Sequence, residues 1–228
     1  MYWTRAVQYY GARMGTPDPN FELLAPLLNI TTTLDPKLVV AYRFGAIFLS
    51  ESSPLGAGRV DLAIDLVKRG IEANPDIWQL HSDLGFLYYW RLKDYRRASA
   101  AYLAGSSVPG APVVLEMMAA RVAEKGGSIE TSRIIWSQLY ESTNDPRVRK
   151  RAMDQLRVLK VEEDEAHLNE IAEDYRNRFK RDPASTKEMR DAGMLPGIPV
   201  DPAGYPYVIS RSGKAQVNPQ STIPEPKP

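Results

Sequence analysis

The sequence predicts an all-α chain, a solenoid of about five antiparallel helix pairs that ends in a small Pro-rich extension containing a β-hairpin. Three observations carry this reading. Small residues set among aromatic or large apolar ones recur at Gly45 (Tyr42, Phe44, Phe48) and at Gly85 (Leu84, Phe86, Tyr88). Alanines open a second amphipathic stretch at Ala63 and Ala98, and prolines close each unit at Asp35-Pro36, Asn74-Pro75 and Val108-Pro109. The composition then changes at Asp182-Pro183, and nine of the 18 prolines lie in residues 183–228.

The elements follow in order. Residues 2–12 read as a helix ending at Gly11, and Phe21 to Leu34 as its partner, with Leu23, Leu24, Leu27 and Leu28 apolar and Asp35-Pro36 as the stop. Two repeating units come next, one from Pro36 to Pro75 and a slightly shorter one from Pro75 to Pro109. Small residues at helix crossings allow close approach, large ones at i, i+3 and i+4 fill the space around the contact, and a boundary proline cannot continue the helix. Val113 to Lys125 reads as a helix stopped by Gly126-Gly127, and Ile129 to Ser142 as its partner, stopped by Asp145-Pro146. Arg147 to Lys160 and Glu162 to Lys180 are expected to form the last pair.

The second unit, with Leu84-Gly85, Tyr88, Asp94-Tyr95, Ala98, Tyr102 and Pro109, resembles the tetratricopeptide repeat, whose 34-residue unit carries Leu-Gly, Tyr, Ala, Phe and Pro at set offsets. It holds one extra residue between its helices. The first unit matches at Gly45, Phe48, Ala63, Gly70 and Pro75, with about six extra residues in the run 51–58. The resemblance is specific over residues 35–110, and it implies a right-handed solenoid over 1–181 whose first helices line a concave, protein-binding groove. Carried over by position, that groove takes Tyr42, Ala46 and Leu49 from one unit and Ser82, Phe86, Tyr89 and Trp90 from the next. Tyr88 falls at a buried position. Consecutive residues point about 100° apart on a helix, so the run Tyr88-Tyr89-Trp90 cannot bury all three rings on one face.

The extension divides into residues 182–214 and 215–228. Ser185-Thr186-Lys187-Glu188 is a capping box for a short helix ending near Gly193. The following Pro/Gly-rich run forbids a helix, and Tyr207–Ile209 with Ala215–Val217, joined through Ser212-Gly213-Lys214, read as the hairpin. Residues 218–228 read as an extended Pro-rich tail. The short phrase from Pro199 to Tyr207 resembles the end of the globular head of major pseudopilins. A repeat solenoid closing in a Pro/Tyr tail resembles bacterial envelope-associated repeat proteins, which implies a cell-envelope or extracellular location, with the cytoplasm as the alternative.

Lys+Arg is 29 against 28 Asp+Glu, a net charge of +1, which argues against a dedicated nucleic-acid binder. The absence of cysteine excludes disulfides, a thiolate nucleophile and Cys-ligated metals. Met1 to Arg5 does not begin a signal peptide, no stretch is apolar enough to span a bilayer, and the chain reads as cytoplasmic or as a mature or truncated form. His81 and His167 have Gly85 and Ile171 at i+4, so neither suggests a metal site. Neither a phosphate loop nor a dinucleotide fingerprint is present. The run Glu162 to Glu165 is read as helix-start carboxylates complementing the dipole. Arg147, Arg149, Lys150 and Arg151 read as a solvated face, and Asn29-Ile30-Thr31 as a sequon buried within a helix.

No catalytic, cofactor or metal constellation emerges, so the expected role is a non-enzymatic protein-interaction scaffold that needs no cofactor. Its sharper form is a homo-oligomer assembling head to tail, as a filament, through Tyr2, Trp3, Tyr9, Tyr10, Val217, Ile223 and Pro224. The alternative is a monomeric adaptor that recruits pilus or secretion proteins through its aromatic groove.

Overall fold

The computed structural model describes residues 2–17 and 19–223. The chain forms two compact units, Met1–Ile135 and Trp136–Pro228. The fold is all-α, with one two-stranded antiparallel sheet among the described residues.

The first unit runs α1 (Tyr2–Gly11), α2 (Leu24–Leu34), α3 (Val39–Ser50), α4 (Val60–Ala73), α5 (Trp78–Phe86), α6 (Tyr95–Ser106) and α7 (Val114–Lys125), and includes the start of α8 (Ile129–Ser142). Up to α7 each helix packs on the next, and α3 also touches α5, the nearest-neighbour pattern of a solenoid. Glycines set the approach distances. A Cβ at Gly85 would lie 2.7 Å from the Tyr102 ring, one at Gly70 2.9 Å from the Tyr42 ring, and one at Gly105 2.8 Å from the His81 Cβ. The α3–α4 and α5–α6 pairs are thus closed by a ring or side-chain stem lying against bare backbone.

Within the first unit, polar groups tie successive helix pairs together. Asn74, buried just beyond α4, donates from Nδ2 to the carbonyls of Pro36 (2.9 Å) and Gly70 (3.1 Å). The Lys37 ammonium reaches the Ala73 carbonyl at 2.6 Å, capping a helix C-terminus with a cation. The extra residues after α3 are knitted in rather than looped out. Ala57 and Arg59 donate backbone N–H bonds to Phe48 and Leu49 (3.0 and 2.7 Å), and the Tyr10 hydroxyl donates to the Leu55 carbonyl at 2.7 Å.

The second unit is organised on one helix. The pair expected over 147–160 and 162–180 is instead the single α9 (Pro146–Phe179), 34 residues and about 51 Å long. No Gly, Pro or capping residue interrupts Lys160-Val161-Glu162, and Val161 is fully buried, so nothing stops propagation. Asp145 caps the start, with Pro146 at the first helical position, and Lys180 ends the helix in the left-handed region at φ +58°.

The acidic run therefore sits in the middle of a helix, not at its start, and it receives the extension. The Tyr207 hydroxyl donates to Asp164 Oδ2 (3.0 Å), the Val217 N–H to Glu165 Oε1 (2.7 Å) and the Ala215 N–H to Asn169 Oδ1 (2.8 Å). Strand β1 (Val208–Ile209) pairs with β2 (Ala215–Gln216) as the sequence predicts. Tyr207, Ala215, Val217 and Ile223 form one core with Val158, Val161 and Leu168 of α9. Short helix α10 (Thr186–Asp191) is capped by Ser185, whose Oγ accepts the Glu188 N–H at 3.2 Å, and places Met189 against Ala172 and Tyr175. The Glu188 carboxylate pairs with Arg181 and accepts the Ala184 N–H at 2.6 Å, one residue before the cap.

Two outcomes test this packing. Gly85→Ala improves helix propensity yet must move the Tyr102 ring, and is expected to destabilise by about 1–3 kcal/mol. Gly11→Ala, with nothing within 4 Å of its Cβ, should stay within about 0.5 kcal/mol of the parent in denaturant melts. The second outcome concerns acid. Arg181, then the Ala184 N–H and the Tyr175 hydroxyl, holds the Glu188 carboxyl down to about 2 from an ordinary 4.5. The unfolded chain binds that proton first, so the stabilisation is complete above pH 4.5 and is lost as pH falls from there toward 2. In circular-dichroism melts Glu188→Gln should therefore lower the melting temperature at pH 7 and converge with the parent near pH 2.

Candidate protein-interaction surface

One face of the first unit is marked by contacts that pass from one odd-numbered helix to the next. Arg43 on α3 donates to Asp83 on α5 through Nε (2.6 Å) and a terminal nitrogen (3.3 Å). Glu51, just past α3, pairs with Arg91. Lys125 on α7 donates to the Tyr89 hydroxyl at 2.8 Å. Ile47, one turn from both Arg43 and Glu51 on this stripe, is half exposed.

Residues 87–92 form a π-helical turn that continues α5. This turn is where the extra residue of the second repeat goes. A π turn absorbs one added residue without breaking the helix, and such turns occur often at functional sites. At this turn the rings of Phe86 and Trp90, four residues apart, lie parallel, with centroids 6.4 Å apart and planes at 10°. Both rings stand out of the core, at 49% and 54% exposure. Tyr88 is buried with Arg97 over its ring, and Tyr89, half-buried, meets Tyr95 edge-on at 5.6 Å. Lys93 ends the turn at φ +55° and lies 4.7 Å over Trp90. Asp94 then restarts the helix, accepting the Arg97 N–H at 2.9 Å. A pocket of about 290 Å³ opens beside the turn, lined by Tyr89, Tyr102, Met118, Arg121, Val122 and Lys125.

The groove residues read from the sequence separate accordingly. Phe86 and Trp90 are exposed, and Ser82 and Tyr89 are partly so. Tyr42, Ala46 and Leu49 are not at the surface; each is buried at 2% exposure. The cause is a register slip of one residue. Tyr42 lies over Gly70 as His81 lies over Gly105. The step from Tyr42 to His81 equals the step from Pro36 to Pro75, whereas the step from Gly45 to Gly85 is one position longer. Ala46, not Gly45, is thus the counterpart of Gly85. The outward stripe of α3 is Arg43, Ile47 and Glu51, which the proline interval would have identified.

The terminal contact residues also need correction. Val217 and Ile223 are buried in the core of the second unit, and Pro224 lies outside the described residues. Trp3 and Tyr10 stack on Phe48 at 6.2 and 3.8 Å. The Tyr9 hydroxyl donates to the Asn20 carbonyl (2.9 Å) and accepts the Leu23 N–H (3.2 Å). Trp3 and Tyr10 thus join α1 to α3, and Tyr9 ties α1 to the segment that leads into α2. Tyr2 remains exposed beside Arg5.

Elsewhere the chemistry is sparse. Among the described residues no group of three or more His, Asp or Glu could hold a metal, and no helix is long and apolar enough to cross a membrane. His81 is half-buried, which lowers its pKa, and His167 lies 3.9 Å from Glu170 on an exposed face. A groove of about 470 Å³ between α2 and α4 has Ala25, Leu28, Leu62 and Leu66 in its lining, with Arg69 bound to Asn29 at its edge.

No protein family and no curated protein matches the chain. Among solved structures it is similar to TTC0263, a thermophilic TPR protein of Thermus thermophilus, at 16% identity over 68% of this chain and 79% of that one, TM-score 0.39. It is also similar to PilW, described as a widely conserved type IV pilus biogenesis factor, at 14% identity over 85% and 86% of the two chains, TM-score 0.40. Likeness at this level says nothing of partner or process. The tetratricopeptide-like character stands on the helix pairs and their small crossing residues.

The ring beneath the surface supplies a pH test. Burial, then Tyr89 and Asp83, pushes the Tyr102 hydroxyl from 10 up to about 12. The native state keeps this proton longer than the unfolded chain, so the stabilisation is full below pH 10 and is lost as pH rises toward 12. Absorbance at the tyrosinate band should show buried phenols, Tyr102 among them, titrating together with loss of helical signal. In Tyr102→Phe that loss should move to higher pH.

Proposed function

We propose that the chain is a non-enzymatic protein-interaction scaffold that binds a partner segment on this face of its first unit. The observation that carries the proposal is the exposed, parallel Phe86–Trp90 pair, set at the π turn and framed by the Arg43–Asp83 and Arg91–Glu51 bridges. Exposed aromatics on rigid helices are the usual anchors of binding surfaces, and repeat arrays present such faces for extended contact. Assembly through the termini is disfavoured, since Val217 and Ile223 are already committed to the chain's own core. Recruitment of a different protein is the reading that these observations support.

Trp90→Ala and Phe86→Ala remove half-exposed rings and should leave the melting temperature nearly unchanged. A partner of the parent chain should bind Trp90→Ala roughly 30-fold more weakly, the ~2 kcal/mol of an interface anchor. A partner that binds both variants with parental affinity in calorimetry would falsify this site.

A further inference from the structure

We infer that the segment bound at this surface is acidic as well as apolar, with carboxylate side chains on either side of an apolar or aromatic anchor. This rests on the proposed function and names the chemistry of its partner. The cations of the face sort into two kinds. Arg43 and Arg91 are held by Asp83 and Glu51. Lys93 and Lys125 are exposed, and among the described residues neither has a carboxylate within ion-pair reach. Lys93 Nζ lies 4.7 Å over the Trp90 ring, and Lys125 Nζ lies 4.9 Å over Tyr89 and 5.5 Å over Tyr95 while bonded to the Tyr89 hydroxyl.

Two ammonium groups at this turn, Lys93 over Trp90 and Lys125 at Tyr89, therefore have ring faces and a phenol as their neighbours. A ring face holds an exposed cation more weakly than a carboxylate does. An ammonium has three donors, so each lysine can keep its ring and still bind a carboxylate. An apolar side chain laid on Phe86 and Trp90, or seated in the pocket beside Lys125, brings flanking residues of the same segment to these two positions. A nucleic acid fits less well. The same face carries the carboxylates of Glu51 and Asp83, and the chain's net charge of +1 gives no basic track for successive phosphates.

The test is a displayed library of random dodecapeptides, selected on the intact chain and counter-selected on Trp90→Ala. The recovered peptides are then measured by fluorescence anisotropy against the parent, Lys93→Glu/Lys125→Glu and Lys93→Arg/Lys125→Arg, at low and high salt. The expected result is Trp90-dependent peptides that combine Asp or Glu with Leu, Ile, Phe or Trp. They should weaken about tenfold or more in the charge-reversed variant, hold in the arginine variant, and weaken with salt. Trp90-dependent peptides that are neutral or basic would overturn the acidic assignment and leave the binding surface standing. Recovery of no Trp90-dependent peptide would overturn both, as would a Trp90-dependent preference for a labelled oligothymidine. Melting curves of the lysine variants, whose side chains are exposed, establish that loss of binding is not loss of fold.

Discussion

Helices in the first unit approach one another closely enough for side chains to lie on bare backbone, and the rest of that unit follows from this contact. Tyr102 lies against Gly85, Tyr42 against Gly70 and the His81 stem against Gly105. Each glycine lowers intrinsic helix stability by about 1 kcal/mol relative to alanine. At Gly85 and Gly70 that lets Tyr102 and Tyr42 bury themselves almost completely, and a buried aromatic ring returns about 1.5–3 kcal/mol. The exchange is favourable only if the ring stays in register with its glycine. Register in turn fixes which residues of the first helix in each pair are left facing outward.

That dependence explains what could be read from the sequence and what could not. Helix boundaries and pairing in the first unit are legible because glycine, proline and alanine have few reasons to recur at such intervals. The outward face is not, because Gly45 and Ala46 are adjacent, both small and both buried. A Cβ at Gly45 would meet Leu28 and Leu66, so glycine is needed there for a different contact, with α2 and α4. Taking the glycine rather than the alanine as the crossing point rotates the reading by one residue, about 100° around the helix. That rotation puts Tyr42, Ala46 and Leu49 outside and passes over Arg43 and Ile47.

In the second unit the misreading has another origin. Four consecutive carboxylates suit a helix N-terminus, but they are also tolerated in mid-helix when something neutralises or uses them. Lys160 pairs with Asp164 at 2.8 Å, and the extension supplies the Tyr207 hydroxyl and the Val217 N–H to Asp164 and Glu165. The partners from the extension are distant in sequence. Local pattern carries no trace of them, whereas the hairpin and the capping box of α10, which are local, could be read directly. The same long-range bonds explain why the C-terminal strand is part of the fold. Its exposed edge would otherwise present unpaired N–H groups, and here α9 side chains accept two of them.

The aromatic surface shows how a small irregularity in a repeat becomes a site. An extra residue between paired helices has two outlets. It can lengthen the loop, as the residues after α3 do, or it can be taken up within the helix. After α5 the second occurs, and the consequence is specific. Tyr88 must remain in the core, where it is buried beside Arg97. Beside it Phe86 and Trp90, four residues apart, lie parallel, and the left-handed Lys93 closes the turn over the Trp90 ring. The exposed ring pair and the lysine beside it thus sit at the turn that takes up the added residue while the core keeps its tyrosine. Because the platform is held by the helix pair itself, its shape does not wait on a partner. Binding there need not carry the cost of ordering the surface, which is the condition under which two half-exposed rings and two lysines suffice to anchor a short acidic segment.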